Sequence, residues 1–440
     1  MNSIKISFKI VYMVYSKKNS RANPNKSRHK TMKKTSTPTL YKISSITSKT
    51  KKTINLQKVL FSNLKCDNMT TLINTIKVVK TLGEGSTGHS LKLCGDYNCE
   101  YPISVKFSKI SKKFSFNQKH PVRVEMKVQK IVNRLIEKDV TPHFNRTYGE
   151  SIICKTNDLL QIKHFVKYFK EYKEGLVSKN LFQEVDKVVV SFMELGDSDL
   201  FEYLLQNAQN ISVQEMKGII FQIFYTLMCI QYHEPGFKHL DLKTDNILVF
   251  HTDKKITKGK FNKYIVGDKV FYLPADMIQI KIFDFDFVVS DKIDNSKISC
   301  DLFPKIGLSR KHNPVQDIHY LLNFMLNFRN EYFKYKKSVV DFLHKLIPEE
   351  LRGKNGIGKS PIVKYRLSNY YVNKSKECNY VPKKGTIMTP AETILDSDIF
   401  IDFSKAAVSK EKKVLNTYDS KIGVNDIEGI KKRSDMYIKN

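Results

Sequence analysis

Read along the chain, the apolar positions change period once. Ile73 to Leu82 reads as a strand leading into a glycine cluster, and Ile103 to Phe107 as a second short strand. Val124, Val128, Ile131, Val132, Leu135 and Ile136 then fall at helix spacing. Two more strands are expected around Glu150–Cys154 and Lys187–Phe192. Between them runs a Lys-rich, aromatic-bearing segment that reads as an inserted helix or loop. After Gly196 the pattern turns helical. Ser212 and Glu215 form a capping box ahead of Met216, Ile219, Ile220, Ile223, Phe224, Leu227 and Met228. That helix is apolar around much of its circumference and should be the buried centre of a helical part. Further helices are expected from Val315 to Phe328 and from Ser338 to Leu346, and there is no internal repeat. The pattern is α+β: a small strand-rich lobe followed by a larger helical one.

Composition fits that picture. The 440 residues are 41% hydrophobic and 27% charged, which suits a folded soluble chain and excludes collagenous or wholly disordered classes. The apolar run Ile4 to Tyr15 is broken by Lys5 and Lys9 and is too short to span a bilayer, so neither an anchor nor a secretion signal is expected. Of the net charge of +31, about half sits in residues 1–68, where 14 Lys and 2 Arg face the single acid Asp67. Ser16 to Thr53 has few large apolar residues to offset its ordering entropy, so order should begin near Met69. This basic tail reads as a solvated disordered arm, with nonspecific binding to nucleic acid or an anionic surface as the alternative. Seven scattered cysteines, with no CxxC pair, read as reduced thiols and not as a zinc site or disulfide framework.

Four motifs carry candidate chemistry. Gly83-Glu84-Gly85-Ser86-Thr87-Gly88 lies between two expected strands, where glycines let a turn approach phosphate oxygens with its N–H groups as donors. A dinucleotide-binding turn would open into a helix, whereas Leu91 to Leu93 continues as strand. Lys106 sits on a short apolar strand, and Glu125 follows nineteen residues later on the amphipathic helix. His239-Leu240-Asp241-Leu242-Lys243-Thr244-Asp245-Asn246 packs a carboxylate, a lysine and an amide into eight residues after the buried helix. Asp284-Phe285-Asp286 ends the apolar strand Ile278–Phe283, and a carboxylate there can ligate Mg²⁺.

In order and spacing these motifs resemble the eukaryotic-type Ser/Thr protein kinase superfamily, over roughly Ile73 to Phe403. The resemblance implies a bilobal fold. Its divisions would be a basic tail (1–68), a small antiparallel N-lobe (69–196), a mainly helical C-lobe (197–405) and a charged C-terminal tail (406–440). It also implies transfer of the γ-phosphate of ATP to Ser/Thr hydroxyls of a protein substrate. Gly83, Gly85 and Gly88 would cover the nucleotide, and Lys106, held by Glu125, would meet its phosphates. Met193 looks like the gatekeeper, Glu194 and Leu195 like the hinge that meets adenine, and Asp199 like the ribose-contacting acid. Asp241 would take the hydroxyl proton and Lys243 would neutralise the γ-phosphate, while Asn246 and Asp284 hold Mg²⁺. Asp317 is similar to the buried helix aspartate that braces the catalytic loop.

Departures are equally specific. Leu240 replaces the arginine that usually receives a phosphate on the activation segment, so activation by phosphorylation there is not expected. Asp286 stands in place of glycine, restricting the backbone and adding a carboxylate near the metals. No Ala-Pro-Glu precedes Asp317, and Ser90 replaces the valine that covers adenine. The 38-position separation of Asn246 and Asp284 admits a hairpin from Tyr264 to Pro274 across Gly267-Asp268. That hairpin, Thr141-Pro142-His143-Phe144 and Thr389-Pro390-Ala391-Glu392 resemble kinases of large nucleocytoplasmic DNA viruses, iridovirus-like ones among them. A viral kinase of this kind would reside in the host cytoplasm or the virion. The alternatives are a pseudokinase or scaffold that keeps the fold without phosphotransfer, and a small-molecule kinase of the aminoglycoside or choline type. Nothing in the sequence signals an oligomeric state.

Overall fold

The computed structural model describes residues 64–66, 77–84, 88–94, 102–159, 185–298, 308, 310, 313–328, 333–349, 352, 371–373, 380–382, 388–404, 413–424 and 426–427. They divide between two compact units, 1–115 with 147–195 and 116–146 with 196–440.

The first unit is built on a five-stranded antiparallel sheet of order β1-β2-β3-β5-β4. Its strands are β1 (Lys77–Glu84), β2 (Gly88–Cys94), β3 (Pro102–Ser111), β4 (Ile152–Lys155) and β5 (Val185–Glu194). β3 and β5 are longer than the apolar pattern suggests because each pairs on both sides. Ile103, Val105, Phe107 and Ile110 are buried on β3, and Val188, Val189, Val190 and Phe192 on β5. A continuous β-branched run suits a strand covered on both faces. The cysteine reading needs correction. Cys66 and Cys154, 88 positions apart, are joined in a disulfide that ties the segment before β1 to β4. Spacing could not reveal that pair, because only the pairing of β4 with β5 brings Cys154 to its place. Cys229 is free and buried.

The second unit holds helix α1 (Pro121–Glu137). Val124, Val128, Val132, Leu135 and Ile136 of α1 join the same buried cluster as Leu200, Leu204, Ile219 and Phe224. After β6 (Ser198–Asp199) and α2 (Leu200–Asn207) comes α3 (Val213–His233), whose residues from Gly218 to Ile230 are all buried. Burying each large aliphatic side chain there contributes about 1.5–3 kcal/mol before chain entropy is counted. Only half of the expected capping box forms. Ser212 accepts from the Glu215 amide at 3.1 Å, but the Glu215 carboxylate takes the Tyr203 hydroxyl instead of turning back to Ser212. β7 (Ile247–Phe250) pairs with β6 and with β10 (Gln279–Ile282). The helix expected at 315–328 is α4 (Gln316–Asn323), continued by a π-helical turn, Phe324–Phe328. α5 (Lys337–Leu346) follows, with a short pair β11 (Tyr371–Asn373) and β12 (Tyr380–Pro382) beyond it.

The hairpin across Gly267-Asp268 is present as β8 (Lys260–Val266) and β9 (Lys269–Pro274), with Gly267 at φ +59°. It gains a third strand. β13 (Lys413–Asp419), within the stretch read as a charged tail, runs parallel to β8. The Thr-Pro-Ala-Glu motif opens α6 (Pro390–Leu395) with a complete capping box between Thr389 and Glu392. Thr141-Pro142-His143-Phe144 links α1 to β10: the Ile282 amide donates to the His143 carbonyl, and the Asn145 amide to the Ile282 carbonyl. The buried His143 ring bonds the Ile280 carbonyl through Nδ1 (3.0 Å) and the Tyr264 hydroxyl through Nε2 (2.9 Å). Nδ1 therefore donates to the carbonyl, and in the neutral ring Nε2 accepts from the Tyr264 hydroxyl.

Burial lowers the His143 pKa to about 3, with a smaller contribution from Lys281 against the bond to Ile280. Folded His143 thus stays neutral where an unfolded chain, with its ordinary value of 6.5, already binds the proton. Its contribution is complete above 6.5 and drains as pH falls toward 3, by up to about 1.4 kcal/mol per pH unit. Urea unfolding at a series of pH values should show His143→Asn losing about 1–3 kcal/mol at neutral pH and following a shallower acid limb. Parallel acid limbs for variant and wild type would remove the neutral-ring assignment.

Candidate active site

α3 ends at His233, and the chain returns through 237–246 to β7. A 3-10 turn, Thr244–Asn246, delivers it into that strand. β7 and β10 pair with Ile247 opposite Ile282, and the Phe283 amide donates to the Asn246 carbonyl at 3.1 Å. This short antiparallel pair makes Asn246 and Asp284 neighbours despite their separation in sequence.

Within the loop, Asp241 is buried, with 5% exposure. Its Oδ2 accepts from Lys243 Nζ at 2.9 Å and from Asn246 Nδ2 at 3.0 Å, and Asn246 Nδ2 also donates to the Asp241 carbonyl at 2.8 Å. Asn246 spends its amide nitrogen on Asp241, so its carbonyl oxygen is the donor atom left for a hard cation. Asp284, two residues past the end of β10, brings a carboxylate to the same stretch of backbone. Two oxygen donors of this kind suit Mg²⁺ and not a softer ion.

The loop is braced from behind. Asp317 of α4 is buried, and its Oδ2 and Oδ1 accept from the amides of His239 and Leu240 at 2.7 and 2.8 Å. Leu240 has φ +62° and Asp284 φ +66°, left-handed values that cost a side-chain-bearing residue about 1–3 kcal/mol each. The Asp317 bonds offset that strain at Leu240. His239 Nε2 donates to the Phe283 carbonyl at 2.9 Å, joining the loop to the residue before Asp284. Burial pushes the Asp317 carboxyl up, against the nearby His239 and the two amides. Lys238, wholly buried beside it, is drawn down to about 7 by desolvation, partly restored by Asp317.

The remaining expected site residues fall as follows. In the second unit, Glu125 is buried on α1, and Asp199 caps α2 by accepting the Glu202 amide at 2.7 Å. Burial raises the Asp199 pKa, helped by Asp245 and Glu202. In the first unit, Lys106 lies mid-sheet on β3 between Ser90 and Ser191, and Met193 and Glu194 are buried at the end of β5, with Leu195 following. Gly83 pairs opposite Ser90, one position before the last β1–β2 pair, Glu84 with His89. Gly88 lies against β3, where an added Cβ would stand 2.2 Å from the Phe107 carbonyl oxygen. Its lack of a side chain is thus a packing requirement in its own right. Gly85 lies outside the described residues. Among the described residues no group of three or more His, Cys, Asp or Glu side chains forms a metal cluster, and no helix is long and apolar enough to cross a membrane.

Comparison with known proteins decides the family. A profile described as poxvirus serine/threonine protein kinase matches residues 112–383, more than half of the chain. The chain belongs to this family. Two proteins of Acanthamoeba polyphaga mimivirus named as serine/threonine-protein kinases are similar to it. One is 29% identical over 69% of this chain and 72% of its own length, the other 28% over 73% and 87%. An Invertebrate iridescent virus 6 protein named as a serine/threonine-protein kinase is 24% identical over 57% of this chain and 44% of its own. The expected placement among divergent viral kinases therefore holds, and so does the α+β kinase-like class. The matched span includes Glu125, Asp241, Asn246, Asp284 and Asp317, whereas Gly83, Gly88 and Lys106 precede it.

Sequence reading missed the partners of Asp286. It forms an ion pair with Lys297 at 2.7 Å, so its carboxylate is occupied within its own segment. No local signal marks Lys297 in a chain with so many lysines. The Asp317 brace yields a direct check. An asparagine in its place can accept only one of the two amides and sets its NH₂ against the other. Asp317→Asn should cost about 1–3 kcal/mol in urea unfolding and remove hydrogen-exchange protection at the His239 and Leu240 amides.

Proposed function

We propose that this chain is an active bilobal Ser/Thr protein kinase that transfers the γ-phosphate of ATP to hydroxyls of a protein substrate. The observation that carries the reading is the second unit's hydrogen-bonded set of Asp241, Lys243 and Asn246, with Asp284 held beside Asn246 by the β7–β10 pair. Membership of a family named for this activity supports it.

Under this reading Asp241 accepts the proton of the substrate hydroxyl as its oxygen takes the phosphoryl group and ADP leaves. Lys243 sets positive charge against the transferring group. Asn246 and Asp284 hold Mg²⁺, which neutralises charge on the phosphates when bound. Lys106 serves the phosphates and Gly83, Gly85 and Gly88 cover them, Glu125 supplies a carboxylate, and Met193, Glu194, Leu195 and Asp199 serve the nucleoside. Since these roles are largely positioning and electrostatics, a divergent frame suffices if the geometry is kept. The protein would act in the host cytoplasm or the virion.

Leu240, Asp286 and the missing Ala-Pro-Glu motif are the features that favour a scaffold without phosphotransfer. Leu240 and Asp286 have defined packing or pairing roles in the second unit, which is consistent with an intact site. The test is labelled-phosphate transfer from MgATP by the purified full chain to a panel of basic and acidic proteins. Asp241→Asn should lower transfer by about 10²–10⁴-fold with unchanged unfolding, and Asp284→Asn should lower transfer and raise the Mg²⁺ concentration that it requires. Near-normal transfer by Asp241→Asn refutes the assigned base. A wild-type chain that binds MgATP yet transfers nothing is a scaffold.

A further inference from the structure

The stretch after Asp284 is closed on itself at almost every step. Asp286 is buried, with 4% exposure, and its Oδ2 pairs with Lys297 Nζ, which also sits 3.4 Å from the centre of the Phe287 ring. Fully buried Asn295 donates from Nδ2 to the carbonyls of Asp286 (2.9 Å) and Val288 (3.1 Å). Val289 and Lys238 exchange backbone hydrogen bonds, which fixes the stretch to the strand-like entry of the catalytic loop. Leu240 takes part too. Where the resemblance places an arginine for a phosphate, Leu240 is buried in an apolar cluster with Val289, Ile298 and Leu308, against Phe287.

A second set of contacts ties the stretch outward. Asp294 accepts ion pairs from Lys119 at 2.6 Å and Arg310 at 2.7 Å. The Ser296 amide donates to the Lys119 carbonyl at 2.8 Å, and Arg310 Nη2 to the Asn295 carbonyl at 3.0 Å. Lys119 lies two residues before α1, next to its N-cap His120, and α1 bears Glu125. The hydrogen bond from Lys119 holds the Asp294 carboxyl below its usual range, with Arg310 adding to it. One carboxylate between two cations, from the α1 entry and from the far side of the segment, is the charge arrangement a phosphoryl group would otherwise create.

We propose that Asp286, paired with Lys297, and Asp294, paired with Lys119 and Arg310, are built-in counter-ions that hold residues 286–298 in their working conformation without phosphorylation. They act as positioning residues for Asp284, and Leu240 supplies the apolar seat. The proposal rests on the kinase reading for its effect on transfer, but the ordering of the segment does not. Isolated exposed pairs contribute little. The effect here therefore falls mainly on the Asp286 pair, whose carboxylate is only 6% exposed, while Asp294 acts through two cations and the adjacent backbone bonds.

The test uses the purified full chain, treated with a protein phosphatase and verified phosphate-free by intact mass. It should keep its transfer rate within about twofold and its exchange protection over 287–298. Asp286→Asn and Lys297→Met should each lower kcat by about tenfold or more while the KM for ATP changes by less than about threefold. Both should lose protection in that stretch alone. Asp294→Asn, at a partly exposed position that leaves folding intact, should lower kcat several-fold, and Asp294→Glu and Lys297→Arg should restore it. Loss of activity on dephosphorylation overturns the proposal, as does wild-type kcat and protection in both Asp286→Asn and Asp294→Asn. If the wild-type chain transfers nothing, the kinase reading falls. Exchange over 287–298 then decides by itself: protection lost in Asp294→Asn and Lys297→Met upholds the counter-ions, and protection kept in both refutes them.

Discussion

The carboxylate of Asp317 is the constraint on which the candidate site depends. It lies on a helix distant in sequence and takes two successive amides of the loop it supports, at 2.7 and 2.8 Å. Those amides belong to His239 and to Leu240, whose left-handed backbone would not persist unaided. With that turn fixed, Asp241 emerges toward Lys243 and Asn246, and His239 reaches the Phe283 carbonyl. The pairing of β7 with β10 then needs no further device to bring Asp284 alongside. A carboxylate buried this deeply is costly unless its oxygens are satisfied. Here the cost and the purpose coincide, since the groups that satisfy it are the ones that must be held.

Leu240 and Asp286 make sense as a pair of changes. An arginine at 240 would need a partner of opposite charge on the activation segment; a leucine needs apolar cover, and Val289, Ile298 and Leu308 give it. A glycine at 286 would leave the backbone free to turn, whereas an aspartate tied to Lys297 does not. Both substitutions exchange a conditional interaction for a permanent one. The wholly buried Asn295 closes the same stretch from within, through its amide bonds to the Asp286 and Val288 carbonyls.

Much of this was legible in the sequence because kinase chemistry uses short motifs at fixed spacing. Asp241, Lys243 and Asn246 lie within one loop, so their proximity follows from a few peptide units. Asp317 was legible by resemblance, and its double bond to the loop follows the expected role. Periodicity located α1 and α3 because each carries an unbroken apolar face. It shortened β3 and β5, where Ser108, Lys109 and Ser111 at the end of β3 and Val185 and Asp186 at the start of β5 extend the strands past the apolar run. The Ser212 box failed at one half because a tertiary partner, the Tyr203 hydroxyl, competes for Glu215. What stayed unreadable depends on contacts between residues far apart in the chain: Cys66 with Cys154, Lys119 with Asp294, and β13 with β8.

That last pairing bears on how the protein is made. β8 lies between β9 and β13, so one of its edges stays open until residues 413–419 have emerged from the ribosome. At about 5–20 residues per second, the delay after β8 is synthesised is on the order of ten seconds. During that interval the unpaired amides and carbonyls of β8 are a template for any extended strand nearby. His143, Tyr264 and Tyr418, which meet around the completed sheet, cannot assemble before then. Completion of this three-stranded sheet thus waits on a strand that lies about 150 residues after β8.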